Sequence, residues 1–286
     1  MNRQSPDGYM DRDQLIALAV AELIAAQRGG GQVMVVAVPE RDDRTNPAVE
    51  LVAADAVGTL AIEHTLIEPY PGQIQDNHQI RPYAETLPTM LAGRLPAGSR
   101  FDLNLDVRVV NGIRPTEDTL DAIVEWAVAA AALLEDGRPG IGGSHMAKGG
   151  PSDLPFAITV ARWPRDVDDA LPEVSIGWWR PPDLEERRRE RLVVALRKKL
   201  PKIAAAEAEG HQGVLVVESD DIQLSNSTDI RVALLAAAAE VEDPLPSWIV
   251  CWEQVVESAF VSTLRSDGEW IGDPCPSVLP AVPHPR

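Results

Sequence analysis

The chain has 286 residues, 45% of them hydrophobic and 24% charged, and it can bury a sizeable core in one large domain or two small ones. Its formal net charge of −18 argues against broad nonspecific binding of nucleic acid, because an acidic surface is repelled by phosphate backbones. No run of 18 apolar residues is present, and the amino terminus lacks the apolar segment of a secretory signal. We therefore predict a cytoplasmic protein without a membrane span.

Cysteine and histidine usage argue against the common zinc sites. Cys251 and Cys275 are the only cysteines and form no CxxC pair, which is typical of a reducing compartment. The five histidines are scattered, without HxH or HExxH spacing. We expect neither a thiolate nor a histidine zinc centre.

The amino-terminal part predicts a helix, a strand and a hairpin. Apolar residues recur at helical spacing over 12–27, and a short apolar strand follows over 33–38. Two further strands, over 49–54 and 59–67, are joined by a tight turn at 55–58. This turn pairs Ala54 with Thr59.

The hairpin register brings two carboxylates together. Glu50 falls opposite Glu63, and directly opposed residues have Cβ atoms roughly 5 Å apart on one face. Two carboxylates that close repel, so a proton or a cation is expected between them. Thr65 shares this face, whereas His64 points to the other and is expected to pack or hydrogen-bond in the core. The pattern predicts a metal site.

The rest of the chain alternates helices and strands. The predicted elements are a proline-rich loop over 69–96 with a short helix near 82–91, a half-exposed strand over 101–109, a helix over 115–135, a glycine-rich connector over 137–150, a strand pair over 156–163 and 174–179, a basic helix over 182–209 kinked or split at Pro201, buried strands over 213–218 and 248–253, a helix over 229–241 capped by Ser227 or Thr228, and a hairpin over 259–264 and 269–271. Glu218, where a strand ends, is expected to be capping or solvated.

We predict a single domain over 1–272 with an inserted region at about 97–180, and an extended or disordered proline-rich tail over 273–286. The order of elements indicates an α/β protein with a mixed sheet.

The segment 185–202 is basic within this acidic chain. It carries eight arginines and lysines against three glutamates. Two interpretations stay open, a solvated helix face or a local contact for phosphate. For the second, the candidate contact residues are Arg187, Arg191, Lys198 and Lys199.

This order of elements, with an acidic residue at the start of one hairpin strand and Glu-x-Thr on the next, resembles the restriction-endonuclease-like fold of the PD-(D/E)xK phosphodiesterases. The chain is similar to a bacterial branch with Glu-x-Thr in place of Glu-x-Lys, and the segments VLVVESDDIQLSN and SWIVCWE look like that branch's later strands. The resemblance covers about residues 12–68 and 185–253. It implies an αβββαβ core with extra strands and helices.

The resemblance also implies roles for individual residues. Glu50 matches the family's metal-binding aspartate and Glu63 its glutamate, so Mg²⁺ or Mn²⁺ is the implied cofactor. Thr65 takes the place of the lysine that positions or activates the attacking water, and Gln73 matches a polar residue just beyond the core. The chain departs from the family's motif in three ways. Position 50 is glutamate instead of aspartate, the proline-aspartate pair is missing, and Thr65 carries no charge.

Two functions follow as alternatives. One is a Mg²⁺-dependent phosphodiesterase that contacts nucleic acid locally through the basic helix. The other is a catalytically inactive member of the same fold that binds a protein partner through its acidic surface. A separate interpretation of the two glutamates gives them no role in function: Glu50 then lies in solvent at a strand edge, and Glu63 satisfies an interior arginine or a backbone group.

Overall fold

The structure is a computed structural model that describes residues 4–5, 8–39, 48–105, 115–135, 145–152, 154, 157–165, 173–178, 183–219, 226–255, 258–272 and 274–282. The chain divides into two compact units. The first combines Met1–Pro71 with Asp183–Arg286, and the second is Gly72–Pro182. The expected insertion therefore begins earlier than residue 97, because the helix that follows Gly72 packs within the second unit.

In chain order the elements are β1 (Gln4–Ser5), β2 (Gly8–Tyr9), α1 (Arg12–Gln27), β3 (Met34–Ala37), β4 (Leu51–Ala54), β5 (Thr59–Leu66), α2 (Gln73–Leu91), β6 (Ser99–Leu105), α3 (Glu117–Ala131), β7 (Met146–Gly149), β8 (Ile158–Pro164), β9 (Val174–Trp178), α4 (Leu184–Ala208), β10 (Gln212–Ser219), α5 (Ser227–Ala238), β11 (Trp248–Val255), β12 (Ser258–Ser266), β13 (Glu269–Trp270) and β14 (Ser277–Pro280). The protein is a mixed α/β protein, as predicted. Its assignment to the restriction-endonuclease-like fold stays a prediction.

The first unit is built on a mixed sheet. Among its described residues this sheet has eight strands, in the order β13-β12-β11-β10-β5-β4-β3 with β14 paired to β12. Strands β5, β10 and β11 run parallel to one another, and the flanking pairs are antiparallel. Since side chains alternate between faces, one face packs on α1 and the other on α4 and α5. The strands β5 and β10 therefore have neighbours on both faces.

Helix α1 begins and ends at the predicted residues. Asp11 and Gln14 form a capping box, in which each side chain accepts a hydrogen bond from the other's backbone N–H. The helix buries Ile16, Val20 and Ile24 at i, i+4 and i+8 against the sheet.

The β4–β5 hairpin has the predicted register. Ala54 pairs with Thr59, and Leu51 with Ile62. The turn is closed by a hydrogen bond from the Asp55 N–H to the Gly58 carbonyl oxygen at 3.0 Å, and the Asp55 carboxylate accepts from the Val57 and Gly58 N–H groups. The sequence pattern was sufficient here because turn and strands are adjacent in the chain.

The second unit departs most from prediction. The stretch expected to be a loop with a short helix forms one helix, α2, of 19 residues that contains Pro82 and Pro88. It forms in spite of these prolines because it buries Ile80, Tyr83 and Leu87 completely or nearly so in the core of the unit. Burial of this apolar face outweighs the lost hydrogen bonds.

The sheet of the second unit, as far as it is described, has four strands in the order β7-β8-β6-β9. The expected pairing of β8 with β9 is wrong, because each pairs with β6 instead. Part of the expected connector is a strand, β7, which pairs with β8. Strand β6 alternates between buried and half-buried residues as predicted, and residues 106–109 lie outside the described part.

Three further expectations need correction. Pro201 does not split the basic helix, since α4 runs over 25 residues with Pro201 inside it. The cap of α5 is Asn226, whose side chain accepts from the Asp229 N–H, and not Ser227 or Thr228. Residues 277–280 of the expected tail are not disordered, because they pair with β12 as an edge strand.

We expect Gly30→Ala to lower the free energy of unfolding by about 2 kcal/mol, because a Cβ there would overlap the Asp55 carboxylate. That carboxylate also accepts from Arg28 Nε at 2.8 Å, so the overlap would disturb the hairpin turn and its ion pair. Urea unfolding checks this result. Gly272→Ala is the matched control, since no atom outside the glycine and its two chain neighbours lies within 4 Å of its Cβ position. Equal stability of the two variants would contradict the prediction.

Candidate functional site

Glu50 and Glu63 lie on the same side of the sheet, facing α4. Glu50 immediately precedes β4 and is 6% exposed, while Glu63 lies in β5 and is fully buried. The ammonium nitrogen of Lys199 lies 3.1 Å from Glu50 Oε1 and 3.2 Å from Glu63 Oε2. One cation therefore bridges the two carboxylates that the register predicted to be neighbours.

A second lysine completes the charge balance on this face. Lys202 Nζ lies 2.7 Å from Glu63 Oε1. Lys199 and Lys202 are three residues apart, so both project from the same side of α4 toward the sheet. The cation expected between the carboxylates is thus supplied by the protein itself.

The charged groups of this cluster affect one another's ionisation. Burial and then the charge of Glu63 raise the pKa of Glu50 to about 7, although Lys199 and His64 act in the opposite direction. Burial alone would lower the pKa of Lys199, but the charges of Glu63 and Glu50 outweigh it and raise this pKa. Lys199 is therefore held as a cation.

The opposite face of the sheet carries a second ionic cluster, around His64. This side chain is 3% exposed, as the predicted core position requires, and its Nε2 lies 2.9 Å from Glu218 Oε2. Its Nδ1 lies 3.6 Å from Asp13 Oδ1. Arg12 Nη1 donates to Glu218 Oε2 at 2.7 Å, and Arg12 Nη2 also donates to Gln254 Oε1 at 3.1 Å.

Burial disfavours the charged form of His64, but the neighbouring carboxylates of Asp13 and Glu218 outweigh it and raise its pKa to about 9. Burial likewise acts to raise the pKa of Glu218, yet hydrogen bonds from His64 and Arg12 hold it below the usual value. The nearby ring of His64 also lowers the pKa of Asp13. His64 is therefore an imidazolium at neutral pH.

His64 connects the two clusters. Its side chain lies on the α1 face, while its backbone N–H donates to Glu50 Oε2 on the α4 face at 3.0 Å. One oxygen of Glu50 is thus fixed by the backbone of β5 and the other by Lys199. The position of the Glu50 carboxylate is defined from both sides of the sheet.

The other residues predicted for the site lie on several different elements. Thr65 is half-buried in β5, two residues from Glu63, and Gln73 is the buried first residue of α2 in the second unit. Arg187 pairs with Asp183 at 2.8 Å and Arg191 with Glu68 at 3.4 Å.

The two adjacent lysines of the basic helix differ in position. Lys198 is exposed, whereas Lys199, proposed as a phosphate contact, is 9% exposed and directed at the carboxylates. The basic helix therefore has both a solvated face and a buried ionic one.

Sequence reasoning missed Asp13, Lys202 and the place of Glu218, which is fully buried and paired instead of capping or solvated. For Lys199 a signal was present. Leu192, Leu196 and Ile203 occupy the buried face of α4, and position 199 continues that spacing. A charge on an apolar helix face predicts a buried partner.

One group of side chains in the described part of the chain is compact enough for a metal ion. Ligand atoms of Asp13, Glu50 and His64 lie within 4.8 Å of one another. A histidine binds a metal ion only as the neutral imidazole, so metal binding through His64 would have to displace a proton from its ring. The Asp13 side chain is 55% exposed and gives this group its contact with solvent.

No protein-family model matches this chain, and neither a curated protein nor a solved structure shows significant similarity to it. Within the described residues, no helix has both the length and the apolar character needed to cross a membrane.

Replacing Lys199 by Met would leave two buried carboxylates without their shared cation. We expect Lys199→Met to lower the free energy of unfolding by about 3–5 kcal/mol, the usual consequence of breaking a buried pair. Chemical denaturation of Lys198→Met provides the control, because this neighbour is exposed and should change stability by less than about 0.5 kcal/mol. If the two variants lost similar amounts of unfolding free energy, the buried bridge would contribute no more to stability than an exposed lysine does.

His64 should make stability depend on pH. The pKa of His64 is about 9 in the folded state and 6.5 ordinarily. Its contribution to the free energy of unfolding is therefore complete below pH 6.5 and is lost as the pH rises through 9. Between about pH 6 and pH 9.5, the wild type should lose about 3 kcal/mol more stability than His64→Gln, which cannot ionise. Urea titrations across this range measure the difference, and parallel pH profiles would contradict it.

Proposed function

We propose that this protein is a metal-dependent phosphodiesterase of the nuclease type, in which Glu50 and Glu63 hold a Mg²⁺ or Mn²⁺ ion. The observation that carries this proposal is the pair of buried carboxylates on one face of the sheet, both in contact with the ammonium group of Lys199. Two acidic oxygen ligands beside a lysine are the groups that metal-assisted phosphate hydrolysis needs.

The donor set fits a hard divalent cation. Glu50 and Glu63 offer carboxylate oxygens, the ligands that Mg²⁺ prefers, and Asp13 adds a third carboxylate close to Glu50. The raised pKa of Glu50 reflects burial beside the charge of Glu63 and favours uptake of positive charge. The four-carbon stem of Lys199 lets its ammonium group withdraw from a position that a metal ion would take.

Lys199 also supplies the positive charge that is missing at position 65, where the chain has threonine in place of the family's lysine. Thr65 has no charge to offer, but the helix α4 brings an ammonium group to within 3.2 Å of Glu63. In this proposal Lys199 stabilises the negative charge that develops on the phosphate oxygens, and Thr65 orients the attacking water by hydrogen bonding. The family's lysine is thereby replaced by one from another element.

The ion, when bound, would polarise the scissile phosphate and lower the pKa of a coordinated water. Arg187, Arg191 and Lys198 of α4 would contact the non-bridging oxygens or neighbouring phosphates of a nucleic-acid substrate. This contact is local, because the chain as a whole carries a net charge of −18. The expected substrate therefore engages the protein over a short basic segment.

The second candidate is the catalytically inactive, protein-binding member of the same fold. It is favoured by the balance of charges around β5, where the acidic side chains of the two ionic clusters are matched by an equal number of basic side chains. The acids are Asp13, Glu50, Glu63 and Glu218, and the bases are Arg12, His64, Lys199 and Lys202. A neutral network of this kind stabilises a fold without a metal ion.

Calorimetric titration with Mn²⁺ and Mg²⁺ at about pH 8 separates the two functions, because Glu50 is then ionised. We expect binding to the wild type and an affinity at least about tenfold lower in Glu63→Gln, which removes a ligand charge. Glu85→Gln is the control, since this glutamate is 63% exposed on α2. Cleavage of a fluorescent oligonucleotide should follow the same order and stop on addition of EDTA.

Because Glu63 is fully buried, its variant needs a check of folding by circular dichroism, and Glu50→Gln gives a second test at a less buried ligand. Mg²⁺ should raise the unfolding temperature of the wild type but not of either variant. Absence of metal binding in the folded wild type, or equal binding by the variants, would favour the inactive alternative.

A further inference from the structure

A cavity lies in the first unit where β11 approaches the beginning of α5. Its volume is about 500 Å³, within the range of small-molecule sites. It is lined by residues 226–229 at the start of α5, Glu253 of β11, Phe260 of β12, and Pro276. The proposed phosphodiesterase chemistry uses none of these residues.

Glu253 is a buried carboxylate for which the described residues supply no cationic partner. It is 3% exposed, and Oε1 accepts a hydrogen bond from the Ser227 N–H at 3.0 Å. No basic side chain in the described part of the chain pairs with it. Burial raises its pKa, with a smaller contribution from the nearby charge of Asp229, although hydrogen bonds from Ser227 act in the opposite direction. A cation placed in the cavity would relieve this unfavourable environment.

The cross-strand neighbour of Glu253 is an aromatic residue that lines the same cavity. Glu253 and Phe260 are directly paired across β11 and β12, so their side chains point to the same face with Cβ atoms roughly 5 Å apart. Asp229 lines the same cavity from α5, and its carboxylate lies 3.7 Å from Arg188 Nη2. The cavity thus combines a flat apolar surface with an excess of negative charge.

We propose that this cavity binds a guanidinium group, stacked on the Phe260 ring and hydrogen-bonded to Glu253. A guanidinium is planar and presents parallel N–H donors, so it uses both the ring and the carboxylate. A compact ammonium group would pair with the Glu253 carboxylate, but it would gain less binding free energy from contact with the Phe260 ring. Phosphate-bearing ligands are disfavoured by the two carboxylates and the net charge of −18.

A metal ion is a poorer fit to this cavity. Within the described residues, the one group of carboxylates and histidines compact enough to hold an ion is formed by Asp13, Glu50 and His64, none of which lines this cavity. The guanidinium proposal does not depend on metal binding or on hydrolysis. Either proposal can therefore fail while the other stands.

Isothermal titration at low ionic strength tests the proposal with agmatine and with the peptide acetyl-Gly-Arg-Gly-amide. Both should bind, and the corresponding amine and lysine peptide should bind several-fold more weakly. Glu253→Gln should weaken the binding of agmatine by on the order of tenfold, the effect of losing a charge-assisted bond. Phe260→Leu should weaken it less. Glu242→Gln, an exposed site with the same chemical change, should bind as the wild type does.

Comparison of agmatine with the arginine peptide identifies whether the guanidinium group comes from a small molecule or from a protein. Tighter binding of the peptide than of agmatine indicates a protein partner, and the reverse order indicates a small molecule. Thermal unfolding followed by circular dichroism confirms that each variant is folded. No binding by the wild type up to about 10 mM, equal binding by Glu253→Gln, or binding of the amine and the lysine peptide as tight as that of their guanidinium counterparts would overturn the proposal.

Discussion

Glu63 lies in a central strand with none of its surface exposed, and an uncompensated carboxylate in that place would cost several kcal/mol. Lys199 and Lys202 supply the compensation, and they do so only because α4 crosses this face of the sheet. The packing of α4 therefore has two components, an apolar one and an ionic one. Hydrophobic burial brings the helix onto the sheet, and the lysines determine the position at which it is held.

The sheet also connects this bridge to the opposite face. The side chain of His64 is fixed by Glu218 and Asp13 under α1, and its backbone N–H holds the carboxylate of Glu50 beside α4. Alternation along one strand thus places an imidazolium on one face and a buried carboxylate on the other. Both proposed roles of this region, a metal site or a structural ionic network, depend on that arrangement. They differ in whether a divalent cation competes with Lys199 for the carboxylates.

Local and non-local parts of the structure were not equally predictable. The capped helix α1 and the hairpin register follow from short-range rules, because their hydrogen bonds join residues close in the chain. Helix α2 was missed because its prolines are local signals of a break, while the apolar face that stabilises it is buried by residues distant in sequence. The pairing of β8 and β9 with β6 was missed for the same reason, since strand order in a sheet is a long-range property.

The sequence by itself determined that Glu50 and Glu63 share one face next to each other, because a tight turn leaves a single register for the two strands. It also determined that the side chain of His64 lies on the opposite face of the strand, in a buried position. Only the tertiary structure decided what neutralises the carboxylates. Lys199 is 136 residues from Glu63 in sequence, and Glu218 is 154 residues from His64. Contacts over such separations are determined by how helices and strands pack, which no local pattern of residues encodes.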